Sequence, residues 1–115
     1  WQGALYNCGA VFHRGRLLGL PAKVCIPNYS EFYEARHFTP APSAQEITYA
    51  GQRTWLGRGL LFPCENVPDL CLGVEICEDL WSPVPPSTDL ARNGATVLLN
   101  PSCSDETIGK AEYRR

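Results

Sequence analysis

Residues 70–77, LCLGVEIC, form a nearly continuous apolar run that a single acid interrupts. A run of this length and composition predicts a β-strand that is covered on both faces, which is the pattern of α/β proteins. Residues 95–99, ATVLL, predict a second buried strand. Between the two strands, Ser87 is expected to cap a short helix over residues 88–93, which Gly94 would end. The chain therefore predicts a strand–helix–strand unit.

The first quarter of the chain predicts a β-hairpin. Residues 4–13 are rich in aromatic and β-branched side chains, residues 14–16 carry a turn signal, and residues 17–26 predict the returning strand. This hairpin makes the predicted sheet one of mixed direction. Residues 28–38 predict a loop with at most one helical turn, and residues 39–46 predict a surface loop.

Two short strands and a terminal helix complete the predicted elements. Residues 46–50 and 54–63 predict strands on either side of a turn at Gly51 and Gln52.

The terminal helix is expected to run from Glu106 to the end, with Ser104 or Asp105 as its cap. The sequence thus begins inside a predicted strand and ends inside a predicted helix. We therefore expect it to be a piece of a longer protein.

The composition indicates one globular domain over residues 1–115, with 44% hydrophobic and 19% charged residues. A net charge of −2 and an isoelectric point near 5.6 give no reason to expect nucleic acid or an anionic membrane as a partner. No apolar stretch approaches the roughly 20 residues that span a bilayer, and no signal peptide opens the chain. We expect a cytoplasmic protein.

Six cysteines raise the question of a disulfide framework. Most of them lie in apolar, strand-like surroundings, where reduced cysteine commonly packs as a small hydrophobic side chain. Without a secretory signal, we expect them to be reduced. The chain has no CxxC pair, and His13 and His37 have no ligand-like spacing around them, so no metal site is expected. Both histidines are expected on the surface.

Cys77 ends the apolar run and is followed at once by Glu78 and Asp79. Because α/β sheets present reactive groups at strand ends, Cys77 is a candidate nucleophile. The neighbouring carboxylates disfavour a thiolate, so a lysine would have to stabilise it. Lys23 lies in an apolar segment, where it either faces solvent on an edge strand or is paired at a buried site. Lys110 has a surface role by default.

Three segments carry a family resemblance: AKVCIPNYSEFYEARHF at 22–38, GVEICEDLW at 73–81 and GATVLLNPSCSDETIGKAEYRR at 94–115. They resemble motifs of the nitrilase superfamily, and more narrowly those of the glutamine-hydrolysing domain of glutamine-dependent NAD+ synthetases. The motifs occur in the family's order. The resemblance implies a nitrilase-like α-β-β-α sandwich, an α/β fold that is present here in part and with a mixed sheet.

The resemblance also implies catalytic roles. Cys77 matches the nucleophile, which attacks the side-chain amide of glutamine and forms a thioester. Lys23 matches the lysine that holds the oxyanion together with the backbone N–H of Glu78. Glu34 matches a supporting acid that helps to position the site.

Four residues match positions that bind the substrate in the same family. They are Tyr29, Glu78, Ser104 and Lys110. Lys110 is an arginine in some relatives, and an ammonium–carboxylate contact would survive that change. The resemblance suggests why acids follow the nucleophile: Glu78 and Asp79 would read the substrate rather than activate the thiol.

The family's general base is a glutamate that precedes the lysine, yet the 22 residues before Lys23 contain no acid. We expect this chain alone to be inactive or nearly so. No cofactor is expected in this domain. ATP, Mg2+ and deamido-NAD+ would bind an absent synthetase domain, which would receive the ammonia, and the parent protein is expected to form homo-oligomers.

Two other functions stay open at this stage. The chain could belong to another nitrilase-like amidase that acts on a different amide. It could also be a non-catalytic nitrilase-like piece with a structural role.

Overall fold

The computed structural model describes residues 1–104 and 107–113. The strands are β1 (Val11–His13), β2 (Arg16–Pro21), β3 (Gln45–Tyr49), β4 (Gln52–Gly57), β5 (Leu61–Pro63), β6 (Cys71–Val74) and β7 (Val97–Leu99). The α-helices are α1 (Pro86–Arg92) and α2 (Lys110–Tyr113), and 3₁₀-helices cover Glu34–Arg36 and Cys77–Trp81. The predicted α/β class is confirmed, and the helical turn in the loop over residues 28–38 is present.

The first sheet has four strands in the order β1-β2-β4-β3. β1 and β2 form the predicted antiparallel hairpin, joined by Arg14 and Gly15, which both have positive φ as a type I′ turn requires. The predicted strand bounds are wrong, because β1 covers only the end of residues 4–13 and β2 ends at Pro21 rather than at residue 26. β2 pairs in parallel with β4, and β3 pairs antiparallel with β4. The turn between β3 and β4 falls at Ala50 and Gly51, one residue earlier than predicted, because these two residues adopt positive φ.

The second sheet has three strands in the order β5-β6-β7. The single strand predicted over residues 54–63 is wrong, since that segment forms β4 of the first sheet and β5 of the second. The chain leaves the first sheet where Gly57 and Gly59 adopt φ of 140° and 75°. Such values lie outside the range of a continuing strand.

The predicted strand–helix–strand unit is confirmed as β6, α1 and β7, and β6 pairs in parallel with β7. Leu90 of α1 is 2% exposed and packs over Gly73 of β6. The predicted cap is wrong: Pro85 precedes the helix and Pro86 begins it, because proline fits the first helical turn. The N–H of Ser87 instead donates to the Glu75 carboxylate. Gly94 follows the helix with a φ of 111°, as predicted.

The last strand and helix differ from their predictions. β7 is not buried, since its Val97, Leu98 and Leu99 are 39–45% exposed. Among the described residues, β7 pairs only with β6, which leaves its apolar side chains partly uncovered. α2 begins at Lys110, six residues after Ser104, so Ser104 does not cap it. The predicted cap Asp105 and the predicted start at Glu106 lie outside the described residues.

A small apolar core holds the first sheet together, built from Ala22, Ile47 and Leu56. His13 and His37 are both exposed, as predicted. In the part of the chain that the structure describes, no helix is long and apolar enough to cross a bilayer.

Candidate active site

Cys77 lies at the junction between β6 and the 3₁₀-helix that it begins. Its φ is 50°, a value that non-glycine residues rarely adopt and that costs about 1–3 kcal/mol. The backbone N–H of Cys77 donates to the carbonyl of Pro101 at 3.0 Å, which ties the turn to the segment after β7. The strand end therefore presents the thiol on a strained, anchored backbone, which is typical of a nucleophile.

Lys23 follows β2 and is buried, with 1% of its surface exposed. Its backbone N–H donates to the carbonyl of Asn7 at 2.8 Å. Its ammonium group donates to both carboxylate oxygens of Glu34, each at 2.8 Å. The alternative of a solvent-facing Lys23 is therefore wrong, and Glu34 supplies the partner that a buried lysine requires.

Cys77 and Lys23 line the same cavity, which has a volume of about 240 Å³. The loop before β1, the 3₁₀-helix at Glu34 and the segment after β7 supply the remaining walls. The other lining residues are Asn7, Cys8, Gly9, Phe32, Glu34, Ile76, Pro101, Ser102 and Cys103. A thiol, a buried ammonium group and a carboxylate thus line one cavity.

Asp79 is fully buried, at 0% exposure. The prediction that its carboxylate contacts the substrate is therefore wrong. Its carboxylate accepts hydrogen bonds from the backbone N–H groups of Cys25 at 2.6 Å, Val24 at 3.0 Å and Ile76 at 3.0 Å. These bonds satisfy the carboxylate inside the protein, so it is not available to a ligand. Asp79 joins the segment that follows Lys23 to the residue that precedes Cys77.

Tyr29 and Glu78 form a hydrogen-bonded pair in which the Tyr29 hydroxyl donates to Glu78 Oε1 at 2.5 Å. This hydrogen bond, with smaller effects from desolvation and from the Glu78 charge, raises the pKa of Tyr29. Tyr29 is 54% exposed and Glu78 is half-buried. Neither lines the cavity, but Glu78 follows Cys77 directly.

Ser104 and Lys110 form a second pair, since the Lys110 ammonium group donates to Ser104 Oγ at 2.7 Å. Both lie outside the lining of the cavity, although Ser104 follows the lining residue Cys103. Of the seven predicted site residues, three line the cavity and four form two polar pairs outside its lining.

Asn100 is a site residue that the sequence did not single out. Its side-chain amide donates to Glu75 Oε1 and to the carbonyl of Cys77, both at 3.4 Å. Glu75 is 4% exposed and also accepts from the N–H of Ser87 at 2.9 Å. Glu75, the acid inside the apolar run of residues 70–77, is the sequence feature that could have pointed to this hydrogen-bond network.

All six cysteines are free thiols. Burial raises the pKa of Cys8, and it also raises the pKa of Cys25, where the Asp79 charge adds to the effect and a hydrogen bond from Ser82 opposes it. Within residues 1–104 and 107–113, no group of three or more His, Cys, Asp or Glu side chains is placed to hold a metal ion.

The chain belongs to the carbon-nitrogen hydrolase family, whose family model matches residues 1–114. Its relatives include glutamine-dependent NAD+ synthetases. The one from Mycobacterium bovis is 46% identical over 112 residues, which are 96% of this chain and 16% of that protein. The resemblance inferred from the three motifs is therefore confirmed.

Two solved structures of glutamine-dependent NAD+ synthetases are similar in fold. The crystal structure from Cytophaga hutchinsonii has a TM-score of 0.75 at 33% identity, and the match covers 97% of this chain and 17% of that one. The structure from Acinetobacter baumannii, in complex with adenosine diphosphate, has a TM-score of 0.69 at 28% identity, covering 98% of this chain and 18% of that one. The chain spans about one sixth of the length of these relatives.

Proposed function

We propose that this chain forms part of the glutamine amidohydrolase site of a glutamine-dependent NAD+ synthetase. The observation that carries the proposal is that Cys77 and Lys23, which are distant in sequence, line one cavity of about 240 Å³. The strained backbone at Cys77 and the Lys23–Glu34 ion pair add to this observation. The names of the relatives indicate glutamine as the substrate.

In the proposed reaction, the Cys77 thiolate attacks the side-chain amide carbon of glutamine and forms a tetrahedral oxyanion. Lys23 would donate to this oxyanion through the ammonium N–H that remains after the two bonds to Glu34. The backbone N–H of Glu78, in the first turn of the 3₁₀-helix, would be the second donor. Collapse of the intermediate releases ammonia and leaves a thioester, which water hydrolyses to glutamate and the free thiol.

Proton transfer in this reaction needs a base. Among the described residues that line the cavity, Glu34 is the one acid, and both of its oxygens accept from Lys23. We therefore expect the base to be a carboxylate from elsewhere in the parent protein. Because loss of a proton-transfer group costs about 10²- to 10⁴-fold in rate, the chain alone should be inactive or nearly so.

The amino-acid end of glutamine would bind beside the cavity. Glu78 would accept a hydrogen bond from the α-ammonium group, with Tyr29 holding the Glu78 carboxylate in place. Lys110 and Ser104 would contact the α-carboxylate from the segment that follows β7.

The ammonia would pass to a synthetase domain, where ATP, Mg2+ and deamido-NAD+ would bind. The adenosine diphosphate bound to the Acinetobacter baumannii relative supports nucleotide binding by the parent protein. Thiol-based amide hydrolysis needs no cofactor, so none is assigned to this domain. We also propose a cytoplasmic homo-oligomer as the parent protein.

The test is to label the intact parent protein with an electrophilic diazoketone analogue of glutamine, followed by intact-mass and peptide mass spectrometry. We expect one adduct, located on Cys77, and slower labelling when glutamine is present. The Cys77→Ala variant should lose both the adduct and glutamine hydrolysis. The Cys8→Ala variant is the matched control, because Cys8 lines the same cavity, and it should keep the adduct.

An adduct on a cysteine other than Cys77 would contradict the proposal. Faster hydrolysis of simple aliphatic amides than of glutamine would indicate another nitrilase-like amidase. The absence of both labelling and hydrolysis in the intact protein would indicate a non-catalytic role.

A further inference from the structure

We infer that Asp79 is a positioning residue that fixes Lys23 and Cys77 in the lining of one cavity, an inference that rests on the proposed function. Asp79 does not line the cavity, so it would act through the two residues that do. The Asp79 side chain forms hydrogen bonds both to the two residues that directly follow Lys23 and to the residue that precedes Cys77.

The hydrogen bonds are divided between the two segments. Asp79 Oδ1 accepts from the N–H groups of Val24 at 3.0 Å and Cys25 at 2.6 Å, directly after Lys23. Asp79 Oδ2 accepts from the N–H of Ile76 at 3.0 Å, directly before Cys77, and also from the N–H of Val24 at 3.3 Å. Each catalytic residue is therefore one peptide unit away from a bond to the same carboxylate.

The chemistry of this contact requires an ionised carboxylate with two acceptor oxygens. Asp79 is 0% exposed, and among the described residues no basic side chain forms a salt bridge with it. Backbone N–H groups therefore replace the water that the carboxylate lost on burial. An asparagine would have to turn its NH2 group either toward Ile76 or toward Val24 and Cys25, where it meets another donor.

The position of the two catalytic groups would change when this contact is lost. A misplacement of about 1 Å at a catalytic group can cost on the order of 100-fold in rate. Such a loss would fall on kcat rather than on KM, because the Asp79 side chain bonds to backbone N–H groups beside Lys23 and Cys77 and not to the side chains proposed to bind the substrate. A role in stability alone would reduce the amount of folded protein but leave kcat per site unchanged.

The experiment measures glutamine hydrolysis by the intact parent protein, with kcat expressed per site titrated by the diazoketone analogue. We expect Asp79→Asn to lower kcat about 10- to 100-fold, with KM changed less than about threefold. Asp79→Ser is the second variant, because its small side chain leaves room for a water molecule to accept from the freed N–H groups and so helps the protein to fold.

Two control variants separate positioning from other effects. Asp89→Asn makes the same chemical change on an exposed helix surface and should leave kcat unchanged. Leu17→Ala removes a 3% exposed core side chain of β2, and it should lower the melting temperature but not kcat per titrated site.

A double variant tests whether Asp79 acts through Lys23. In a Lys23→Met background, Asp79→Asn should slow acylation of Cys77 by a smaller factor than it does in the wild type, because one of the two positioned groups is already absent. If the rate losses of the two single substitutions multiply fully in the double variant, the inference is overturned. It is also overturned if Asp79→Asn or Asp79→Ser keeps the wild-type kcat per site. If the wild-type protein does not hydrolyse glutamine, the proposed function fails and the inference fails with it.

Discussion

The Lys23 ammonium group forms two hydrogen bonds of 2.8 Å to the two carboxylate oxygens of Glu34, although only 1% of the lysine side chain is exposed. The Glu34 side chain is 23% exposed, so it keeps partial contact with water. A buried ammonium group depends on such a partner, because an unpaired charge inside a protein is costly.

We expect Glu34→Gln to lower the free energy of unfolding by about 2 kcal/mol, since the amide leaves the Lys23 ammonium group without a counter-charge. Urea unfolding followed by tryptophan fluorescence measures this change. Glu46→Gln is the matched control, because Glu46 pairs with Arg53 on the surface and its loss should produce no measurable change. Equal destabilisation by the two variants would show that burial of Lys23 does not depend on Glu34.

Tyr29 should ionise at a higher pH than an ordinary tyrosine, because its hydrogen bond to Glu78 raises its pKa. The stabilising contribution of this pair is present below the unfolded pKa of about 10 and is lost as the pH rises through the folded pKa. The ultraviolet absorbance of phenolate, titrated in the wild type and in Tyr29→Phe, isolates this residue by difference. In Glu78→Gln, the Tyr29 titration should move to lower pH; an unchanged titration would argue against the hydrogen bond.

The six free thiols should differ in reactivity toward iodoacetamide. Burial raises the pKa of both Cys8 and Cys25, so less of each is present as the reactive thiolate at about pH 8. We expect both to react at least about tenfold more slowly than the exposed Cys64, as measured by peptide mass spectrometry over time. In urea, the differences should disappear; equal rates in the folded protein would contradict the burial of Cys8 and Cys25.

Gly57→Ala should destabilise the protein by about 3 kcal/mol or more. An added Cβ would lie 2.8 Å from the Cα of Ala44 and 2.9 Å from the carbonyl oxygen of Pro42, at a φ of +140°. Gly15→Ala is the control, because its φ is +78° but no atom lies within 4 Å of the added Cβ. It should cost about 1 kcal/mol, so equal melting temperatures for the two variants would refute the close contact at Gly57.

Local sequence patterns predicted the strands and helices whose formation depends on residues close together in the sequence. The β1–β2 hairpin follows from a short turn between apolar segments, and the β6–α1–β7 unit follows from two apolar runs around a helix-forming segment. Cys77 could also be identified as a candidate nucleophile, because it ends an apolar run. These features are encoded by residues that are close together in sequence.

Other features depend on contacts that a single sequence does not display. The break between β4 and β5 depends on positive φ at Gly57 and Gly59, and a glycine alone does not reveal its φ. The exposure of β7 depends on what packs against it rather than on its composition. The sequence did not reveal that the Asp79 carboxylate is satisfied inside the protein, because two of its three backbone donors, Val24 and Cys25, are far from it in sequence.

The bonds that Asp79 makes to Val24 and Cys25 span 55 and 54 residues of sequence. Contacts of such separation form late in folding, because a long loop must close before they can contribute. During synthesis, the segment that contains Lys23 leaves the ribosome well before the turn that contains Cys77. The thiol and the ammonium group can therefore meet only after the residues up to Asp79 have been made, and the nascent protein carries the two groups apart until then.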